Sequence, residues 1–106
     1  MATSRIDIFK QMLESDPANT SILFGLAKEY EKTGATEELI DILNRYLAAA
    51  DDQGNAYGML ARAFEASGRR TEARAAYERG IEVANHHGHP GMAEEYREVL
   101  SGEYEA

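Results

Sequence analysis

Apolar residues recur along this chain at helical spacing, in six segments separated by short polar breaks. Ile6, Phe9 and Leu13 stand at i, i+3 and i+7, one face of a helix. Leu23, Leu26, Ala27 and Tyr30 stand at i, i+3, i+4 and i+7, and Tyr57, Leu60, Ala61 and Phe64 repeat that spacing. Leu39, Ile42, Leu43, Tyr46 and Leu47 form another stripe, and so do Ala73, Ala76, Tyr77, Gly80, Ile81 and Ala84. Ala93, Tyr96 and Leu100 form the last. Alternation of the strand type is nearly absent. The breaks agree with this pattern. Pro17 and Pro90 lie outside the periodic segments, and Gly34, Gly68, Gly88 and Gly102 sit where helices should stop, at residues needing positive φ. The pattern predicts helices over 4–15 (capped by Thr3 or Ser4), 20–33 (capped near Asn19), 37–50, 55–67 and 71–85, and a sixth from Pro90 that ends before Gly102. The short connections force successive helices to pack antiparallel.

The chain also repeats itself. Shifted by 34 residues, Leu23 falls on Tyr57, Leu26 on Leu60, Ala27 on Ala61 and Tyr30 on Phe64. Gly34 falls on Gly68, Glu38 on Glu72, Leu43 on Tyr77, Lys28 on Arg62 and Glu31 on Glu65. A single hairpin of two such helices cannot cover both apolar stripes, so it must stack on a neighbour. Ala27 and Ala61 are small where paired helix axes approach most closely.

This arrangement resembles the tetratricopeptide repeat. The segment Tyr57–Ala84 matches the family pattern in type at Tyr57, Leu60, Ala61, Phe64, Gly68, Ala73, Tyr77 and Gly80. Leu23–Ala50 departs from it. Leu39 stands where the family prefers Ala and Tyr46 where it prefers a small residue, which implies looser or differently angled packing there. The family's repeat-ending Pro is Asp51 and Asn85 here, whereas Pro17 is in register for a preceding unit. Phe9 and Met12 lie 34 residues before Leu43 and Tyr46, so the first helix resembles the second half of a missing repeat. Ala93, Tyr96 and Leu100 resemble a first helix, displaced by two residues from the strict register. The resemblance implies one all-α domain over 1–106, a right-handed α-solenoid of antiparallel hairpins with about six helices. Its parts are a flanking helix (4–15), repeats at 20–53 and 54–87, and a C-terminal capping helix (90–101).

The resemblance further implies an adaptor that binds a protein or peptide partner along a concave face lined by the first helices. That face would present Phe24, Gly25 and Lys28, then Asn55, Gly58, Met59 and Arg62, flanked by Ser21, Glu31 and Glu65. A glycine inside a helix costs roughly 1 kcal/mol against Ala. Gly25 and Gly58 therefore mark either room for a ligand backbone or a tight helix crossing. Phe24 and Met59 are the apolar anchors, Met being adaptable. Lys28 and Arg62 are placed to meet carboxylates of a peptide, or to pair with Glu31 and Glu65 on their own helices. The subclass that clamps the terminal carboxylate of heat-shock chaperones uses Lys and Asn where this chain has Phe24, Lys28 and Met59, so that function is not expected. A different class of function is self-association. Two full repeats fall short of the three usually needed for a stable stack, and a homodimer would cover the ends at Ile6/Phe9 or Tyr96/Val99/Leu100.

Composition narrows the field. A length of 106 residues suits one domain, and no apolar run approaches the roughly 18 residues of a membrane span. The N-terminal segment has acidic residues inside its apolar stretch, unlike a secretory signal, so a cytoplasmic protein is expected. With no Cys there are no disulfides, thiolate metal sites or Cys nucleophiles. A net charge of −8 repels phosphate and argues against nucleic acid and anionic membrane as partners. Residues 62–79 run against this trend, with five Arg (62, 69, 70, 74, 79) to three Glu (65, 72, 78). They read as a solvated helix face or as a docking patch for an acidic segment. His86, His87 and His89 share one loop, and imidazole suits zinc, nickel or copper. They are weak candidates at a spacing that matches no rigid site, so no metal or other cofactor is expected. No nucleophile elbow, P-loop or dinucleotide fingerprint is present, and an enzyme is not expected.

Overall fold

The computed structural model describes residues 4–105. Among them are six α-helices and no strands: α1 (Arg5–Ser15), α2 (Thr20–Thr33), α3 (Thr36–Ala49), α4 (Asn55–Ala66), α5 (Arg70–His86) and α6 (Pro90–Val99). A π-helical turn, Leu100–Tyr104, continues α6. The expected stop at Gly102 is therefore not a helix end of the Gly34 kind. The residue lies within this wider turn, and its φ is not positive.

The helix ends follow from local hydrogen-bond demand. Ser4 Oγ accepts from Asp7 N (3.1 Å), and Asn19 Oδ1 accepts from Ile22 N (3.1 Å), each satisfying an otherwise unpaired donor of the first turn. Thr3, the other cap candidate, lies outside the described residues. Asp52 caps α4 from outside it, its Oδ2 accepting from Gly54 N (2.8 Å) and Ala56 N (3.0 Å). At their C-terminal ends, α2 and α4 close in the same way. Gly34 and Gly68 adopt φ of 72° and 74°, which lets the next residue's N–H turn back on the helix. Ala35 N reaches Tyr30 O at 3.0 Å, and Arg69 N reaches Phe64 O at 2.8 Å. The loop after α5 repeats the device at Gly88, with His89 N on Ala84 O (2.8 Å).

The chain divides into two compact units, Met1–Asp51 and Asp52–Ala106. In the first, α2 packs on α1 and on α3. Leu13, Ile22, Leu23, Leu26, Ala27 and Tyr30 are buried, together with Leu39, Ile40, Ile42 and Leu43. Tyr46, large where the resemblance implied a small residue, packs its ring on Phe24 with centroids 5.1 Å apart. In the second unit α5 packs on α4 and on α6. Ala61 and Ala73 are fully buried, as expected of small residues at a close helix crossing. Tyr96 of α6 enters a slot between α4 and α5 formed by two glycines. A Cβ on Gly58 would stand 2.5 Å from the Tyr96 hydroxyl oxygen, and one on Gly80 would stand 2.9 Å from its Cε2. The ring also lies against Tyr77, with centroids 5.7 Å apart, and its hydroxyl donates to Gly54 O at 2.9 Å.

Candidate functional site

The residues singled out in the sequence fall into two groups. Phe24, Lys28, Asn55 and Arg62 keep exposed or half-exposed side chains. Gly25, Gly58 and Met59 do not offer an open surface. Met59 is only 3% exposed, so it belongs to the core of the second unit and is not an accessible anchor. The room beside Gly58 is filled by Tyr96, and that beside Gly25 by Phe9 of α1, whose Cζ would lie 2.9 Å from an added Cβ. The helix glycines thus serve close packing by the chain's own aromatics, which leaves no room for a ligand backbone at either point.

The two cations differ. Lys28 Nζ pairs with Glu31 Oε1 at 3.2 Å on its own helix. The equivalent pair in the next repeat does not form. Glu65 instead accepts from two tyrosines, Tyr77 through Oε1 (3.1 Å) and Tyr104 through Oε2 (2.8 Å). Arg62, exposed, has no ion pair among the described residues. Its charge lies near the Tyr77 and Tyr96 phenols. Burial, reinforced by Glu65, pushes the Tyr77 phenol up to about 12. Burial also raises Tyr96, and partial burial with Glu65 beside it raises Tyr104.

The basic stretch 62–79 is also split. Arg69 grips Glu72 with two bonds of 2.8 Å, holding that carboxyl below its usual range, and Arg79 pairs with Glu82 at 2.9 Å. Arg70 and Arg74 turn to the acidic segment after α6. Arg74 Nη2 donates to Tyr104 O at 2.7 Å, and Arg70 Nη2 donates to the carbonyl of Glu103. Sequence spacing carried no signal for this contact, because 30 or more residues separate the partners.

The three histidines do not converge. His86 and His87 meet edge to face with centroids 5.3 Å apart, while His89 Nε2 lies 2.5 Å from Gln53 Oε1. Among the described residues no group of three or more His, Asp or Glu side chains is placed to hold a metal ion, and no buried side-chain polar atom lacks a hydrogen bond. Nor is any helix among them long and apolar enough to cross a membrane.

A helical repeat of antiparallel hairpins is the class these features define. Residues 54–87 match the model of the tetratricopeptide repeat. Among solved structures, that of MamA, a tetratricopeptide-repeat protein, superposes with a TM-score of 0.68. The match covers 98% of this chain and 77% of that one at 20% sequence identity, which establishes the shared fold. No curated protein matches the sequence. Repeats of this family are generally modules of protein–protein interaction, and typically scaffolds without catalysis.

Proposed function

We propose that the chain is a protein- or peptide-binding adaptor that meets its partner through first-helix side chains, Phe24 and Lys28 on α2 and Asn55 and Arg62 on α4. The observation that carries this reading is Arg62. It is an exposed guanidinium on a tetratricopeptide first helix, and the carboxylate that should neutralise it is engaged by two tyrosine hydroxyls. A guanidinium so placed is available for bidentate pairing with a partner carboxylate. Phe24 adds a half-exposed ring, already held in orientation by Tyr46. The reading keeps the cytoplasmic location expected from the sequence. Its test is affinity capture with Phe24→Ala and Arg62→Ala. Both variants should lose the partner while their melting temperatures stay near that of the parent. Full retention of the partner by both would refute the assignment.

One observation favours self-association as the alternative. Ile8 and Met12, one turn apart on α1, are 45% and 44% exposed, the large apolar side chains most open to solvent among the described residues. A dimer through α1 would cover them. Of the ends expected to serve this purpose, Ile6 and Phe9 are half-buried, and Tyr96 is buried in its slot. Light scattering at micromolar concentration decides: a monomer removes this reading.

A further inference from the structure

Residues 103–105 place a tyrosine between two glutamates and lay it on the second unit. The Tyr104 ring faces Arg70, whose Cζ is 4.1 Å from the ring centroid, with Arg74 at 5.9 Å. Its edge meets Tyr77 at a centroid distance of 6.1 Å, and its hydroxyl donates to Glu65 Oε2 at 2.8 Å. The seat therefore reads an aromatic ring with cations, a second ring and one hydrogen-bond acceptor.

Three features favour an exchangeable occupant. First, Arg70 and Arg74 bond main-chain carbonyls, and among the described residues no ion pair joins them to the carboxylates of Glu103 or Glu105. A carboxylate would add to these contacts a full opposite charge and the bidentate geometry that a single carbonyl lacks. Second, no residue of the Leu100–Tyr104 turn is buried. Third, the ring is bordered by open space. Open hollows of about 290 Å³ each border it, one lined by Arg70, Thr71 and Arg74, the other by Glu65, Gly68 and Arg70.

We propose that this seat is a docking site for an aromatic residue within an acidic peptide segment of a partner protein, and that residues 103–105 occupy it as an internal placeholder. A partner segment with carboxylates reaching Arg70 and Arg74 makes bonds that the placeholder leaves unmade. A second copy of this chain has no such advantage. It would remake the same carbonyl bonds while competing with a tethered segment, whose effective concentration is on the order of millimolar. The site is separate from Phe24 and Lys28 and meets the Arg62 argument only at Glu65, which Tyr77 also holds. The peptide assay reads the seat and capture with Phe24→Ala reads the first-helix surface, so the two failures are distinguishable.

The test is fluorescence anisotropy with a labelled peptide of one tyrosine flanked on each side by three acidic residues. The full chain should bind it weakly. Tyr104→Ala, which empties the seat, should bind about tenfold tighter, because a placeholder that fills nine-tenths of the seats lowers apparent affinity by that factor. Arg70→Ser with Arg74→Ser should abolish binding, and a peptide with Ala for Tyr should bind far more weakly. Failure of Tyr104→Ala to bind at millimolar peptide, or binding that survives loss of both arginines, overturns the proposal. So does a parent that is dimeric by light scattering and becomes monomeric with Tyr104→Ala, since the occupant would then be a second copy. Nuclear magnetic resonance of the parent gives an independent reading: excess peptide should move the Tyr104 ring resonances toward those of a free tyrosine, and unchanged resonances contradict the proposal.

Discussion

Adding one methyl group to Gly58 sets two effects against each other. Replacing a helix-interior glycine by alanine favours the helix by about 1 kcal/mol. In this chain the new Cβ would stand 2.5 Å from the Tyr96 hydroxyl oxygen and 2.9 Å from its Cε1 and Cζ. The ring has little freedom to retreat, because Gly80 backs it on α5 and Tyr77 lies alongside. Overpacking of this kind costs about 1–3 kcal/mol. Displacing the hydroxyl also breaks its buried bond to Gly54 O, and stranding such groups costs about 1–3 kcal/mol more. With both costs taken toward the lower half of their ranges, the net effect of Gly58→Ala is a loss of about 2 kcal/mol, or a fall in Tm of roughly 10 °C for a domain of this size. Urea and thermal unfolding followed by circular dichroism read it directly. The decisive comparison is the same change in a Tyr96→Ala background. With the ring gone, only the helix preference remains, and Gly58→Ala should then stabilise by up to about 1 kcal/mol. A variant as stable as the parent, or an equal loss in both backgrounds, would refute the slot argument.

Gly25→Ala should be milder, within about 1 kcal/mol of the parent by the same melts, because Phe9 is half-buried and the atoms in the way are at the far end of its ring. Ala61→Trp should cost at least about 3 kcal/mol or prevent folding, since Ala61 is 0% exposed; a variant as stable as the parent would contradict the repeat register. Tyr77 binds its proton more tightly in the folded state, so its contribution is complete below the ordinary tyrosine pKa near 10 and fades as pH rises toward about 12. Stability should therefore fall across that alkaline window, and Tyr77→Phe should flatten the fall, as measured by urea midpoints against pH.

The helices and their stripes were legible because period 3.6 is a local property. Leu23, Leu26, Ala27 and Tyr30 needed only each other to be read, and all four are buried. Ala56, Met59 and Ala63 were harder. They form a second buried line on α4, and small or flexible residues do not announce a buried face. The cost of a glycine at 58 was also legible, but its cause was not, because the ring that fills the space belongs to a later helix. The same limit applies to Arg62. Its repeat-equivalent, Lys28, found the local glutamate, whereas Glu65 was taken by tyrosines distant in sequence. Spacing reveals which side chains are able to pair, and tertiary packing decides which do. The basic stretch 62–79 shows both outcomes, local pairs at Arg69 and Arg79 and an acidic segment seated at Arg70 and Arg74.

The central claim is that a partner is held against exposed first-helix side chains. Site-specific photo-crosslinking tests it most directly, with the reactive group placed in turn at Ser21 on α2 and Ala66 on α4, beside the proposed contacts, and at Asn44 on α3 and Glu82 on α5, all exposed. The account predicts partner adducts from positions 21 and 66 and none from positions 44 and 82. Adducts from 44 or 82 without any from 21 or 66 would contradict it.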